Sequence, residues 1–328
     1  MNTEKTPTVG YIGLGVMGGA MAANLQKAGY RLVVNHRRPE AAKRFIDAGA
    51  VWAETPRALA AQCEVIFTCL PTIETIEAVA LGPNGLIEGI RRDCAYFEMS
   101  TNSVEIAKRM HAAFAERGAH MLDAPISGGP KGAIRGKLAI WVGGEKSVYE
   151  RYEPVLRAMG DHPIHIGAIG AGLVTKVVHN CSSQAIQAAI TELFVLGVKA
   201  GAEPVALWEA IRQGSIGRRR TFDGLANHFL DNSYDDPVEA ALRIIQKDMM
   251  VATELGRDLG VPMRMANMAL ADILEAMNRG WAERDARSVM LLPQERVGVS
   301  IAASPDAIKE VFSRDAAAPT DIRFGSGA

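Results

Sequence analysis

From residue 8 to about residue 167, short apolar runs alternate with longer segments whose apolar positions recur every three or four residues. The runs predict strands at Val9–Ile12, Leu32–Asn35, Val65–Cys69, Cys94–Glu98, Met121–Asp123, Ala139–Val142 and Ile164–Ile166. The segments between them predict helices at Ala20–Ala28, Arg38–Asp47, Pro56–Ala61, Ile73–Val79, Ser103–Arg117 and Lys146–Met159. Strands separated by helices imply right-handed crossovers and a mostly parallel, doubly wound α/β sheet. At about Gly170 the rhythm changes. From there to Ala286 nearly every segment reads as helix, interrupted at Gly201–Pro204, Gly214–Gly217, Asp231–Pro237 and Gly260–Pro262. The expected organisation is an α/β domain over residues 1–168, an all-helical domain over 169–298 and a tail over 299–328. The tail holds one short helical stretch, Pro305–Phe312, and its last residues are expected to be poorly ordered.

The first strand runs into Gly13-Leu14-Gly15-Val16-Met17-Gly18 and then a helix. Gly13 permits a tight strand-to-helix turn, Gly15 leaves room for a pyrophosphate, and Gly18 lets the helix pack closely on the sheet. The helix start offers free N–H groups and partial positive charge to a phosphate. These six residues form the expected cradle of a dinucleotide, and the domain reads as a Rossmann fold. The end of the second strand then faces the adenosine ribose, where a carboxylate would select NAD. Here the chain reads Asn35-His36-Arg37-Arg38-Pro39, with no carboxylate before Glu40. Guanidinium suits phosphate geometry, so His36, Arg37 and Arg38 favour NADP over NAD. The plainer alternative is a solvated, positive helix start.

Composition narrows the class. A chain of 328 residues suits about two domains. A hydrophobic share of 48% and a charged share of 22% fit an ordinary soluble enzyme. A net charge of −1 gives no bulk attraction to nucleic acid or to a membrane surface, and no apolar run reaches the length of a span. Cys63, Cys69, Cys94 and Cys181 are scattered without Cys-x-x-Cys spacing, which suggests reduced thiols. No basic segment followed by an apolar one marks a signal peptide, so a cytoplasmic location is expected.

Candidate chemistry lies further along. The helix from Leu173 to about Ala200 is apolar nearly all round and is therefore expected to be buried, yet Lys176, Asn180, Gln184 and Gln187 run down it in a polar line. A buried lysine has a lowered pKa, which suits a general acid/base; a structural ion pair is the alternative. After a strand end, Asp123-Ala124-Pro125-Ile126-Ser127-Gly128-Gly129-Pro130 exposes successive N–H groups, either an anion nest or a plain turn. Glu98-Met99-Ser100-Thr101 follows another strand, and Lys247-Asp248 lies in the helical part.

In this order, the segments resemble the β-hydroxyacid dehydrogenase superfamily and the relatives of 3-hydroxyisobutyrate dehydrogenase within it. The resemblance runs from residue 8 to about 297. It rests on the glycine turn, Leu70-Pro71, Ser100-Thr101, the Asp123–Gly129 segment, Gly170-x-Gly172-x-x-x-Lys176-x-x-x-Asn180, and Lys247-Asp248. It implies Lys176 as the catalytic acid/base, with Asn180 positioning it and the substrate. It implies that Ser127, Gly128 and Gly129 bind a substrate carboxylate, that Thr101 lines both substrate and nicotinamide sites with Leu70 and Pro71, and that Lys247 closes the site. Arg37 matches the phosphate-binding arginine of NADP-dependent members. A homodimer or homotetramer is expected on the same ground.

Three departures stand out. His179 replaces a usual asparagine and either alters the pocket or is a satisfied helix histidine. Arg135 stands where an acidic residue is more common. Arg218-Arg219-Arg220 replaces a segment usually rich in Ser and Trp, as a grip for a second anion or as a solvated loop. The expected reaction is hydride transfer between a nicotinamide and a small 3-hydroxyacid, such as 3-hydroxyisobutyrate, serine or threonine. The alternatives are a semialdehyde reductase acting on tartronate semialdehyde, succinic semialdehyde or glyoxylate, and a non-catalytic NADP(H)-binding module. Imine reductases on this scaffold replace the lysine, so Lys176 speaks against that chemistry.

Overall fold

The computed structural model describes residues 6–202 and 260–298, with single positions or short stretches at 207–257 and 302–313; side chains within 181–195 are described only at 186, 189 and 193. Nine strands form one sheet: β1 Val9–Ile12, β2 Leu32–Asn35, β3 Val51–Trp52, β4 Val65–Thr68, β5 Ala95–Glu98, β6 His120–Asp123, β7 Ile126–Ser127, β8 Ala139–Gly143 and β9 His162–Gly167. Their order is β3-β2-β1-β4-β5-β6-β8-β7, with β9 beside β8. The chain leaves β1 towards β2 on one side and returns to β4 on the other. The switch point of the doubly wound sheet therefore lies between β1 and β4, where such folds bind ligands.

The first six strands in this order pair in parallel, and β8 runs antiparallel to β6 and β7. All four residues of β1, β2, β4 and β5 are buried. Helices on both faces of a parallel sheet demand this, and it explains why the strands read as unbroken apolar runs. Successive residues serve opposite faces. Tyr11, Phe67 and Phe97 stack in one core, while Ile12, Ile66 and Tyr96 belong to the other.

Several expectations shift. The first helix is Val16–Lys27, not Ala20–Ala28, so its opening turn includes Gly18 and Gly19. Close packing overrides their poor helix propensity: a Cβ on Gly18 would overlap the Gly13 carbonyl, and one on Gly19 would press on Arg44. The expected Arg38–Asp47 helix divides into a 3₁₀ turn at Pro39–Ala42 and a short helix at Lys43–Asp47. β3 and β7 have two residues each, and Leu86–Gly89 and Gly129–Arg135 are short helices. None of the four carries enough residues to show a period.

The chain divides into two compact units, Met1–Ser182 and Ser183–Ala328. The division falls inside the helix Ala171–Lys199. That helix is not buried all round. Leu173 enters the sheet core, but Val174, Val177 and Val178 are 50%, 47% and 54% exposed. An apolar composition dictates burial only where another surface covers the face. In the second unit, Leu242, Ile273, Ala276 and Leu292 form a small core spanned by the helices Arg264–Asn278 and Leu291–Val297. Arg279 and Arg296 join these two helices on the outside through Glu275, Glu295 and Asp272. Among the described residues, no helix is long and apolar enough to cross a membrane.

Candidate functional site

Four neighbouring strands, β1, β4, β5 and β6, end at the same edge of the sheet, and each delivers one segment singled out in the sequence. β1 delivers the glycine turn. Gly13 has φ +98°, a region that side chains disfavour, and a Cβ there would overlap the Cys69 carbonyl. Gly15 precedes the Val16–Lys27 helix, whose start has no side-chain cap. A Cβ on Gly15 would meet nothing within 4 Å, so the space before these N–H groups is open. An uncapped helix start facing open space fits the pyrophosphate of a dinucleotide. Leu14 and Gly18 are buried, whereas Gly15 and Val16 are exposed and Met17 is half-buried.

At the end of β2, the buried Asn35 amide donates to the Ala53 carbonyl at 2.8 Å. His36 is half-buried and accepts the Arg38 backbone N–H at 3.1 Å. Burial, with the guanidinium groups of Arg38 and Arg37, pushes the imidazole pKa down. Arg37 and Arg38 are exposed, and neither is held by an ion pair among the described residues. Both are available to a phosphate beside the ribose position.

The ends of β4 and β5 are tied together. Leu70 N–H donates to Ser100 Oγ at 2.8 Å, and Ser100 N–H donates to Glu98 Oε1 at 2.9 Å. Leu70 is half-buried, while Pro71 and Thr101 are exposed at the rim. The expected nicotinamide residues thus lie together, with Glu98 beneath them.

After β6 the chain forms β7, then Gly128 at φ +133°, then the Gly129–Arg135 helix. Ser127 is half-buried and Gly128 and Gly129 are exposed, so the segment is a strand running into a helix start rather than a simple turn. Lys176 reaches this place from the Ala171–Lys199 helix. Its Nζ donates to the Ile126 carbonyl at 2.7 Å, one residue before Ser127. The side chain is half-buried, and burial lowers its pKa. No carboxylate pairs with Lys176 among the described residues, which disfavours the structural ion pair.

Asn180 shares the helix face of Lys176; it is exposed, and its Oδ1 lies 3.1 Å from His179 Nδ1. His179 Nε2 lies 3.4 Å from Ser127 Oγ, and its ring tilts against Trp141 at 5.2 Å. The helix histidine is therefore satisfied and also stands at the expected carboxylate site. Lys247, Asp248 and Arg218–Arg220 lie outside the described residues, as do the side chains of Gln184 and Gln187.

Sequence reasoning quoted Asp123 without giving it a task. It is buried, and its two oxygens accept the N–H groups of Gly170 at 2.6 Å and Leu173 at 2.8 Å. Burial raises its pKa, and these donors pull the other way. The carboxylate thus clamps β6 to the helix start one turn before Lys176. A Cβ on Gly172 would press on Asp123 Oδ2 and overlap the Trp141 carbonyl, which explains the Gly170-x-Gly172 spacing. A lone Asp at a strand end was the available signal.

Comparison with known proteins agrees with this layout. Residues 8–170 match the family model of the NAD-binding domain of 6-phosphogluconate dehydrogenase. Residues 170–292 match that described as NAD-binding of NADP-dependent 3-hydroxyisobutyrate dehydrogenase. The chain is 33% identical to 2-(hydroxymethyl)glutarate dehydrogenase of Eubacterium barkeri, over 91% of this chain and 98% of that one. It is 34% identical to the NAD-dependent L-serine dehydrogenase of Pseudomonas aeruginosa, over 87% of this chain and 97% of that one. It also resembles the solved Mycobacterium tuberculosis 3-hydroxyisobutyrate dehydrogenase with L-serine, at TM-score 0.61 and 28% identity, over 88% of this chain and 100% of that one. The chain belongs to the β-hydroxyacid dehydrogenase superfamily and is an NAD(P)-dependent hydroxyacid dehydrogenase.

Proposed function

We propose that this enzyme interconverts a small 3-hydroxyacid and its carbonyl product, with 3-hydroxyisobutyrate or a 3-hydroxy amino acid such as serine as the substrate class, and that it prefers NADP. The observation that carries the reading is the meeting of Lys176 Nζ with the Ile126 carbonyl beside Ser127. An acid/base and a carboxylate-binding segment then lie side by side, which is what a 3-hydroxyacid requires. The relatives' names, which include L-serine and 2-(hydroxymethyl)glutarate, share a hydroxyl-bearing carbon near a carboxylate.

The nicotinamide supplies the hydride acceptor or donor. The residues do the rest. Ser127 and the backbone of Gly128 and Gly129 hold the substrate carboxylate. Lys176 takes the hydroxyl proton as the carbonyl forms, and returns it in reduction. Burial keeps its amine easier to deprotonate than a free lysine, as a base near neutral pH requires. Asn180 and Lys247 position the substrate, and Leu70, Pro71 and Thr101 bound the nicotinamide. Val16, Met17 and the glycine turn take the pyrophosphate, and His36, Arg37 and Arg38 the ribose phosphate. We further place a dinucleotide domain at residues 1–168 and a substrate and oligomerisation domain at 169–298, in a homodimer or homotetramer.

The test is initial-rate absorbance of reduced nicotinamide across 3-hydroxyacids, hydroxy amino acids and semialdehydes, with NADP(H) and NAD(H) in parallel. Turnover of a 3-hydroxyacid is the expected result. Turnover confined to semialdehydes would replace this substrate class, and a higher kcat/KM with NAD would overturn the NADP preference.

A further inference from the structure

The floor of the nicotinamide region holds a carboxyl group that hydride transfer does not use. Glu98 closes β5, is fully buried, and takes part in no ion pair among the described residues. Its Oε1 accepts Ser100 N–H, while Oε2 has no hydrogen-bond partner. Polar or titratable groups of the neighbouring strands lie near it. Asp123 is its partner across β6, Cys69 follows β4, Tyr11 comes from β1, and Thr68 and Tyr96 are bonded to each other at 2.9 Å. Tyr11 Oη is itself buried without a partner. Through Ser100, Glu98 is two hydrogen bonds from Leu70.

We propose that Glu98 is a buried proton-binding residue that sets the enzyme's preference between oxidised and reduced nicotinamide. Protonated, it favours the neutral reduced ring. Ionised, it favours the cationic oxidised ring. The inference rests on the placement of the nicotinamide at Leu70, Pro71 and Thr101. The two ring forms differ by one positive charge, and a buried charge nearby is poorly screened by salt. Binding of the oxidised cofactor then releases part of a proton from Glu98 into solvent, about half of one at most for a tenfold change in affinity, and binding of the reduced cofactor does not.

The surroundings poise this group. Burial, against the pull of the Ser100 hydrogen bond and with help from Asp123, raises the carboxyl pKa to about 8. Cys69 is pushed up to about 12, and Tyr11 and Tyr96 are raised by burial, so these stay protonated near neutrality. Burial also moves the pKa of Asp123 and of Lys176 towards neutrality; the Gly170 and Leu173 N–H groups hold Asp123 back, and the test separates Glu98 from Lys176.

The experiment is calorimetric titration of the full chain with NADP+ and with NADPH, in two buffers of different ionisation enthalpy, from pH 6.5 to 9. NADPH carries the same phosphates and controls for their titration. The expected result is proton release with NADP+ alone, largest near pH 7.5. The NADP+ to NADPH affinity ratio should rise about tenfold across the range, the effect of one charge at roughly 10 Å in an effective dielectric of about 20. Glu98→Gln should abolish both effects, and Lys176→Ala should keep them. A pH-independent ratio in the unsubstituted protein overturns the inference whether or not the variant folds. Release that persists in Glu98→Gln, or vanishes in Lys176→Ala, overturns it too. Failure to bind either nicotinamide form overturns the cofactor placement itself, whereas binding of both with equal proton release overturns only the role of Glu98.

Discussion

The glycine turn and the lysine site lie at the same sheet edge but are built from different material. The turn is mostly backbone: residues 13–18 present N–H groups and empty space, and the main outside constraint is the Cys69 carbonyl that packs on Gly13. The lysine site is side chain: Lys176 meets a carbonyl 50 positions earlier, and His179 meets Ser127 across 52. A local site depends on the conformation of one segment. A distant one depends on clamps such as Asp123, which hold a helix where its lysine can act.

The sharpest break in the comparison is Lys176→Ala. Its kcat should fall by about 10³-fold, the scale of lost acid/base assistance, while the cofactor dissociation constant changes little. Stopped-flow rates with fluorescence titration of NADPH check this; a parallel loss of cofactor affinity would merge the two sites. Gly13→Val attacks the other side. Both φ +98° and the Cys69 carbonyl oppose a side chain, so thermal unfolding should show a loss of about 3 kcal/mol, with cofactor binding lost as well. Wild-type stability would refute the strained turn.

Arg37→Asp probes only the ribose end of the turn. The NADP over NAD preference in kcat/KM should drop by about 10- to 100-fold, the worth of one charge-assisted hydrogen bond, while kcat with NAD is kept. Glu98→Gln separates stability from chemistry. The Glu98 carboxyl titrates near 4.5 unfolded and at about 8 folded. The folded state therefore holds its proton more tightly, and stability falls as pH rises between those values, by up to about 1.4 kcal/mol per unit. Urea unfolding from pH 5 to 8.5 should show a steeper decline in the unsubstituted protein than in Glu98→Gln; equal slopes would remove Glu98 as the cause. The smallest effect belongs to His179→Asn, which loses the long contact to Ser127 and the Trp141 ring contact. KM for the hydroxyacid should change by about 3-fold with kcat preserved; a large kcat loss would make His179 part of the proton path.

Much of this was legible in the residues. The doubly wound α/β class, the glycine turn, the arginines after β2 and the Lys176 segment follow from period, local sterics and residue chemistry, which act over a few neighbours. Fully buried parallel strands advertise themselves as unbroken apolar runs, so β1, β2, β4 and β5 stood out. The two-residue strands β3 and β7 did not, because a period needs more than two residues to appear. Tertiary structure alone decided the rest. It exposed Val174, Val177 and Val178 on a helix whose composition pointed to burial, and it set the Asn180 amide beside His179. It also gave Asp123 the start of the Ala171–Lys199 helix to hold and joined the buried carboxyl of Glu98 to Ser100. Those outcomes depend on which surfaces meet across 50 or more residues, and on how much water remains between them. A short window of sequence contains neither.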